Sequence, residues 1–383
     1  MTVEILEWLY AVALLGASAP LVIYPLTLVL LSNLFRKTHA IGDALPTVTL
    51  VISAFNEANV IEAKLDNALS LDYPRELLEV MVISDSSDDA TDEKVRLYAD
   101  RGVKLYRQTV RGGKSRALTA FVPRATGTIL VFSDANSMYE SNAIRRLVRH
   151  FSDSTIGYVV GHQRFYRQDG SAVADSEGLY WDLEVRLKEW ESSLSSVVGG
   201  DGAIYAIRAP LFKALEDSDI NDFLNPLQIV ARGYRGVFDR EAFCYEHSAR
   251  SFAGEFRRKS RIVNRSLQAV LKVPQVLNPF RVGWFAYQLF THKVLRWFMP
   301  YFLMALLLTS VALTIVQPFW LYTITSFGFA FLFLAALLRA FPATSELRFV
   351  YLAYFFLLGN AAALLGTWRL LRGQRVVVWA PER

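Results

Sequence analysis

The residues best placed to do chemistry stand at the ends of apolar runs. "TILVFS" (128–133) is followed by Asp134-Ala135-Asn136, "LEVMVIS" (78–84) by Asp85, and "TVTLVISA" (47–54) by Phe55-Asn56-Glu57. Each run reads as a buried strand that ends on a carboxylate or an amide. Oxygen donors of this kind suit a hard divalent cation and the hydroxyls of a sugar or ribose. They do not suit a bare phosphate, which asks for amide N–H groups and cations. "RGGKS" (111–115) offers two glycines and Lys114 for that purpose. It is not a P-loop, because Gln108 stands where the first glycine of that motif belongs. No Gly-x-Gly-x-x-Gly follows the first strand either.

The elements that must hold these residues follow from periodicity. "VKLYR" (103–107) is a further strand, and helical spacing appears over 59–71, 91–100 and 115–122. Buried strands alternating with helices predict a parallel sheet covered on both faces. Ligands of such sheets sit at the carboxyl ends of the strands, where Glu57, Asp85 and Asp134 all fall. A long helix is predicted over 174–196. Its Trp181, Glu184, Trp190 and Glu191 either line a cleft or pack in a core. His150, His162, His247 and His292 show no metal-ligand spacing and read as structural. Cys244 is the single cysteine, so no disulfide framework exists.

Of the 383 residues 53% are hydrophobic, and their distribution points to a membrane. Trp8–Leu31, Phe298–Ile315, Phe319–Leu338 and Phe349–Leu365 carry no charge, and each is about long enough to cross ~30 Å of hydrocarbon as a helix. No ionisable residue falls inside these runs, which argues against a transporter. Arg36 and Lys37 follow the first, which the positive-inside rule places with the polar region in the cytoplasm. Arg369, Arg372 and Arg375 conflict with that rule if the last run crosses fully; a helix broken near Gly359-Asn360 would not. "VGWFAYQLFTHKVLRWF" (282–298) reads as an interfacial amphipathic helix. The net charge of +5 is accounted for by membrane-flanking Lys and Arg, and no nucleic-acid partner is expected.

Several stretches together resemble the membrane-integrated family 2 glycosyltransferases, whose relatives include polysaccharide synthases of the hyaluronan, chitin and cellulose type. "VISAFNEANVIEAKLDNAL" (51–69) resembles the family's opening strand and Asn-Glu turn, and "ISDSSDDAT" (83–91) its Asp-x-Ser-x-Asp-x-Thr element. "RGGKSRAL" resembles its Gly-Lys element, and "FSDANS" falls where the family has Asp-x-Asp. "VVGGDGAIYAIR" (197–208) resembles the Gly-rich stretch that ends in arginine. "NDFLNPLQIVARGYR" (221–235) resembles the Thr-Glu-Asp segment, with Asp222 eleven residues before Gly233. Asn136 and Asn221 replace acids of the family pattern. "RRKSRIVNR" (257–265) matches Gln-x-x-Arg-Trp only at Arg261, and the missing tryptophan, the usual stacking platform for the acceptor sugar, argues against long-chain processive synthesis; the run's arginines suit a diphosphate and an anionic lipid surface equally.

The resemblance implies an α/β GT-A (Rossmann-like) domain in the cytoplasm at residues 37–270, with a transmembrane helix before it at 1–36. An interfacial segment (271–297), about three C-terminal spans (298–370) and a tail (371–383) follow. It implies that Glu57, Asp85, Lys114, Asp134 and Arg261 bind the nucleotide donor. Asp134 and Asn136 would hold a divalent cation, manganese or magnesium. Gly200, Asp201 and Arg208 would meet the acceptor, and Asp222 would be the general base. The expected reaction is inverting transfer from a nucleoside-diphosphate sugar, UDP being the family's commonest nucleotide, to a hydroxyl of a lipid-linked or polysaccharide acceptor. The expected location is a plasma (inner) membrane, in contact with its lipids. The alternatives are a processive synthase that exports its polymer, a polyprenyl-phosphate sugar transferase, and a catalytically dead nucleotide-binding membrane protein.

Overall fold

A computed structural model of the chain describes residues 2–165, 172–246, 252–341, 344 and 347–374. His247, Arg375 and the side chain of Trp181 lie outside the described residues. Eight strands form one sheet: β1 Val48–Ala54, β2 Leu78–Ser84, β3 Val103–Arg107, β4 Ile129–Asp134, β5 Met138–Tyr139, β6 Ile156–Phe165, β7 Tyr205–Arg208 and β8 Arg235–Glu246. Their order is β3-β2-β1-β4-β7-β6-β8-β5. The four strands expected from the sequence form a parallel half. The other half is mixed, because β7 runs antiparallel to both β4 and β6, and β5 antiparallel to β8. An apolar run records burial but not direction, so the sequence pattern alone led to an all-parallel expectation.

Alternation along the strands builds two cores. Val51, Met81, Ile83, Leu130 and Phe132 face one way, against helices α2 (Lys114–Phe121), α4 (Asn221–Val230) and α5 (Phe252–Lys272). Leu50, Ile52, Val80, Val82 and Val131 face the other, against Ile61 and Leu65 of α1 (Ile61–Leu69). A one-residue slip of any strand would exchange these faces, so burial on both sides fixes the register that sets the strand ends in line.

Among the described residues four helices are long and apolar enough to cross a membrane: Val3–Leu34, Trp284–Val316, Trp320–Ala340 and Arg348–Leu371. The second starts well before the run expected at 298, so His292, Lys293 and Arg296 belong to that helix rather than to a separate interfacial segment. Its first turns are part of the domain, since Phe285, Leu289 and Trp297 share a core with the sheet. The fourth is one continuous helix, with Asn360 Nδ2 donating to Phe356 O at 2.9 Å, so Gly359-Asn360 does not break it. It lies along α5. Tyr354 meets Phe252 at the start (ring centroids 5.2 Å apart), and Asn264 Nδ2 donates to Gly366 O (3.2 Å) near the end. A Cβ on Gly366 would stand 2.6 Å from Ser260 O, so the two helices come this close only over a glycine.

The joint between the membrane helices and the domain is a buried carboxylate on α3 (Ala172–Leu194). Glu191 has no solvent exposure. It accepts hydrogen bonds from Tyr24 Oη of the first span (2.5 Å) and from the Val198 backbone N–H (2.9 Å), and its Oε1 lies 2.6 Å from His292 Nδ1. Glu184, one face along, pairs with Arg296 at 2.6 Å. These two glutamates hold helices together and do not line a cleft, and Trp190 packs beside Leu28 and Leu187. Burial alone would raise the Glu191 carboxyl, but the His292 charge and hydrogen bond outweigh it and hold the group below its usual range.

A carboxyl depressed in the fold contributes stability above its unfolded value of about 4.3, and that contribution is lost as pH falls through the folded value. Removing one partner of a buried pair costs about 3–5 kcal/mol. His292→Ala should therefore lower the thermal midpoint of the detergent-solubilised chain at pH 7, with a smaller deficit at low pH, where the protonated Glu191 carboxyl no longer needs the cation. An unchanged midpoint at pH 7 would refute the joint.

Candidate active site

The strand ends gather as the parallel half of the sheet requires. The turn after β1 and the turn after β2 are laced together. Asn56 and Ser86 adopt positive φ (55° and 61°), Asn56 N–H donates to Ser87 Oγ, Glu57 N–H to Thr91 Oγ1 (2.8 Å), and Ala58 N–H to Asp89 Oδ2 (3.1 Å). This fixes Glu57, half-buried, at the edge above β1.

Asp85 is 7% exposed and faces inward to its own loop. It accepts from Gln108 Nε2 (2.7 Å), Gly112 N–H (2.9 Å) and Gly113 N–H (2.8 Å). Its carboxylate thus shapes the glycine loop from which α2 starts, and α2 begins with Lys114. Lys114 Nζ reaches across to Asp134 Oδ1 at 2.5 Å. Asp134 is the last residue of β4. The turn beyond it is anchored from below by Lys64, a fully buried ammonium that donates to Ser137 O and stands 4.1 Å from the Tyr139 ring centroid. Asn136, in that turn, is exposed.

Asp222 opens α4 opposite Asp134. The loop Gly199–Gly202 is drawn onto it by Gly200 N–H, which donates to Asp222 O at 2.5 Å. A Cβ on Gly202 would lie 3.1 Å from Asp222 Oδ2 and 3.6 Å from Asp134 Oδ2. Both carboxylates therefore border one gap that only glycine leaves open. Asp222 Oδ1 is buried with no hydrogen-bond partner among the described residues. Burial raises the Asp222 carboxyl above its usual range, with Asp134 and Asp201 adding to the rise and Lys114 opposing it. Asp201 sits in the same loop, 3.3 Å from Lys188 Nζ. Asn221 turns away to donate to Tyr205 Oη (2.8 Å).

Arg208 does not join this group. It pairs with Ile129, at the start of β4, five residues before Asp134. At a strand rise of about 3.4 Å that is roughly 17 Å away. Its guanidinium donates to the carbonyls of Phe151, Asp153 and Ile156, so it ties two loops at the opposite edge. The glycine-rich stretch that carried the expectation bends at Gly202 and then runs away from the site along β7.

Glu246 escaped the sequence reading, and Arg258 and Arg265 were read only as members of the basic run 257–265. Glu246 ends β8 at the same edge, holding Gln163 Nε2 (2.5 Å) and the Ser137 hydroxyl; burial, then the Asp134 charge, push it up to about 7. Its signal was positional, an acid closing a strand. Arg258 and Arg265 flank Arg261 on α5 at spacings of three and four residues, which puts all three on one helical face. Arg258 lies within electrostatic reach of Glu246 and Asp201, and Arg265 of Asp222. Arg261, half-buried between them, belongs to the face turned toward the site.

Among the described residues no cluster of three or more His, Cys, Asp or Glu could hold a metal alone. Magnesium-like cations are commonly held by one or two carboxylates together with substrate phosphates. Asp134 Oδ2, beside an open gap and with Oδ1 already paired, fits that pattern, and the exposed Asn136 carbonyl can supply a second oxygen.

Residues 49–208 match the family model Glycosyl transferase family 2. A beta-monoglucosyldiacylglycerol synthase of Nostoc sp. is 28% identical over 172 residues, covering 43% of this chain and 35% of that protein. The chain thus aligns with only about a third of the length of such relatives. A poly-beta-1,6-N-acetyl-D-glucosamine synthase of Staphylococcus aureus is 21% identical over 247 residues, covering 63% and 59%. Among solved structures, a mannosyltransferase from Pyrobaculum calidifontis in complex with GDP-Man and Mn2+ superposes with a TM-score of 0.72 at 22% identity, over 97% of this chain and all of that one. Residues 49–208 are thus similar to a glycosyl transferase family 2 domain, and the chain has the mixed-sheet, Rossmann-like GT-A fold.

Proposed function

We propose that the chain transfers a sugar from a nucleoside diphosphate, UDP in the leading reading, to a hydroxyl of a lipid-linked or polysaccharide acceptor. The observation that carries this is the Asp222 carboxylate, whose Oδ2 borders the gap at Gly202 beside Asp134 Oδ2 and whose Oδ1 has no hydrogen-bond partner among the described residues. Asp222 accepts the proton of the acceptor hydroxyl as its oxygen attacks the anomeric carbon. The bond from that carbon to the diphosphate oxygen breaks, and its electron pair leaves with the nucleotide. A single displacement inverts the anomeric centre. Lys114 and the Arg258–Arg261–Arg265 face supply donors to the diphosphate. Asp134 and Asn136 hold a divalent cation, which when bound neutralises the charge developing on the leaving group. Glu57 contacts the nucleoside, while Asp85 acts on it through the loop it shapes. Gly200 and Asp201 border the acceptor.

The domain lies on the cytoplasmic side of a plasma (inner) membrane in this reading. The fourth apolar helix then runs along the boundary with α5 rather than across the bilayer. Two contacts support that: Tyr354 near its start and Gly366 near its end both touch α5, a helix of the domain. Arg348, Arg369 and Arg372 then stay with Arg36 and Lys37 on one side, and the positive-inside rule is obeyed.

The test is turnover of UDP- and GDP-sugars by the purified chain with manganese, reading released nucleoside diphosphate and product mass. Asp222→Asn should lower transfer by about 10²–10⁴-fold while nucleotide binding persists. Undiminished transfer would reject the base and favour a phosphate acceptor that is already ionised. Gly202→Ala crowds the gap and should weaken manganese binding, read by electron paramagnetic resonance, without lowering the thermal midpoint. Asn136→Asp adds a charge and should lower the manganese concentration needed for half activity; no change would remove Asn136 from the metal shell.

A further inference from the structure

We propose that the chain holds a lipid with a phosphate headgroup in a cavity beside the start of α5, and that this seat anchors the acceptor. The acceptor role rests on the transfer reading above; the seat itself does not. The cavity measures about 700 Å³, within the ~300–1,000 Å³ of ligand sites. Three elements wall it: Phe252 and Phe256 from α5, Phe333 and Ala336 from the third span, and Leu358 and Ala361 from the fourth apolar helix. Almost the whole lining is hydrocarbon or aromatic, which fits a lipid chain and not a sugar polymer. Polysaccharide hydroxyls would be left without partners there.

The polar end is cationic. Arg257 lines the cavity. Arg339, at the end of the third span, stacks its guanidinium 5.2 Å from the Phe252 ring centroid, and its Nε is buried with no hydrogen-bond partner among the described residues. A buried guanidinium nitrogen without an acceptor costs free energy, and a phosphate oxygen would satisfy it. Arg258, next on the helix after Arg257, is within electrostatic reach of Asp201 and Glu246, so the cationic end of the seat is the end nearer the sheet edge. A neutral diacylglycerol lacks the anion this end asks for, and free phosphate lacks the chain.

The experiment uses the full chain in neutral detergent with no donor present, and native mass spectrometry reads retained ligand. The probes are dioleoyl phosphatidic acid, dioleoylglycerol and inorganic phosphate. Phosphatidic acid should bind at least tenfold more tightly than dioleoylglycerol, and inorganic phosphate should not be retained. Ala361→Trp, which fills the cavity, should lower phosphatidic acid binding at least tenfold. Arg339→Gln should erase the preference over dioleoylglycerol. Ala336→Phe serves as an independent filling variant if Ala361→Trp does not fold, and thermal midpoints identify that case. Equal retention of the two lipids, or phosphatidic acid binding unchanged in the filled variants, overturns the seat as general surface lipid. Binding by the wild type with no turnover of any nucleotide sugar leaves the seat standing and defeats the transfer reading. Lost transfer to a lipid acceptor with preserved donor hydrolysis in Ala361→Trp supports both.

Discussion

Like charges crowded onto one sheet edge are the constraint on which the site depends. Asp134, Asp201, Asp222 and Glu246 meet there, with Lys114 hydrogen-bonded to Asp134 and Lys188 to Asp201. Two carboxylates 4 Å apart repel by about 4 kcal/mol at an effective dielectric of about 20. The fold accommodates the excess in three ways: it spaces the acids with glycines, it lets the Asp222 and Glu246 carboxyls rise, and it leaves room for positive charge. An edge so built is incomplete until a cation and the arginines around a diphosphate balance it. In this setting Asn136 and Asn221 make sense. Each stands where an acid would add one more charge; Asn136 keeps a carbonyl oxygen at the exposed turn, and Asn221 uses its amide nitrogen to donate to Tyr205 Oη.

The second constraint is mechanical. A sugar transfer at a membrane needs the site at a fixed height above the lipid, and Glu191 provides that reference. A carboxylate with no exposure persists only when its lone pairs are filled. Its partners come from the first span, the second span and the loop that leads to Gly199–Gly202. Val198, whose N–H closes the set, lies two residues before Gly200. The joint therefore reaches the acceptor loop through the backbone, and a tilt of the spans would be felt at Asp222.

The parallel half of the sheet was legible because its strands are fully buried and end on polar residues. That logic alone placed Glu57, Asp85 and Asp134 at the carboxyl edge, and the Gly-Gly-Lys run supplied Lys114. Proximity to an edge, however, does not say which way a side chain turns. Asp85 sits where expected but uses three of its acceptor positions on the Gly112-Gly113 loop and Gln108. Arg208 was misplaced because a glycine-rich stretch carries no direction: β7 runs antiparallel to β4, which takes its last residue to the far edge. Glu246 and Glu191 were illegible for another reason. Their side-chain partners lie 83 to 167 residues away in sequence, and no local pattern encodes them.

The basic run 257–265 shows what the three-dimensional reading adds. In sequence it was equally a lipid-surface patch and a diphosphate contact. On α5 the two functions separate by helical angle. Arg258, Arg261 and Arg265 share the face toward the carboxylates, while Phe252, Phe256 and Arg257 face the cavity and the fourth apolar helix. One helix thus presents cations to the site on one side and a hydrocarbon wall to the membrane on the other. Its contact with Gly366 keeps it close to the fourth helix. In the proposed reading that geometry bears on the missing tryptophan of the processive pattern: an acceptor held by its hydrocarbon tail would be positioned by the tail and would need no aromatic platform.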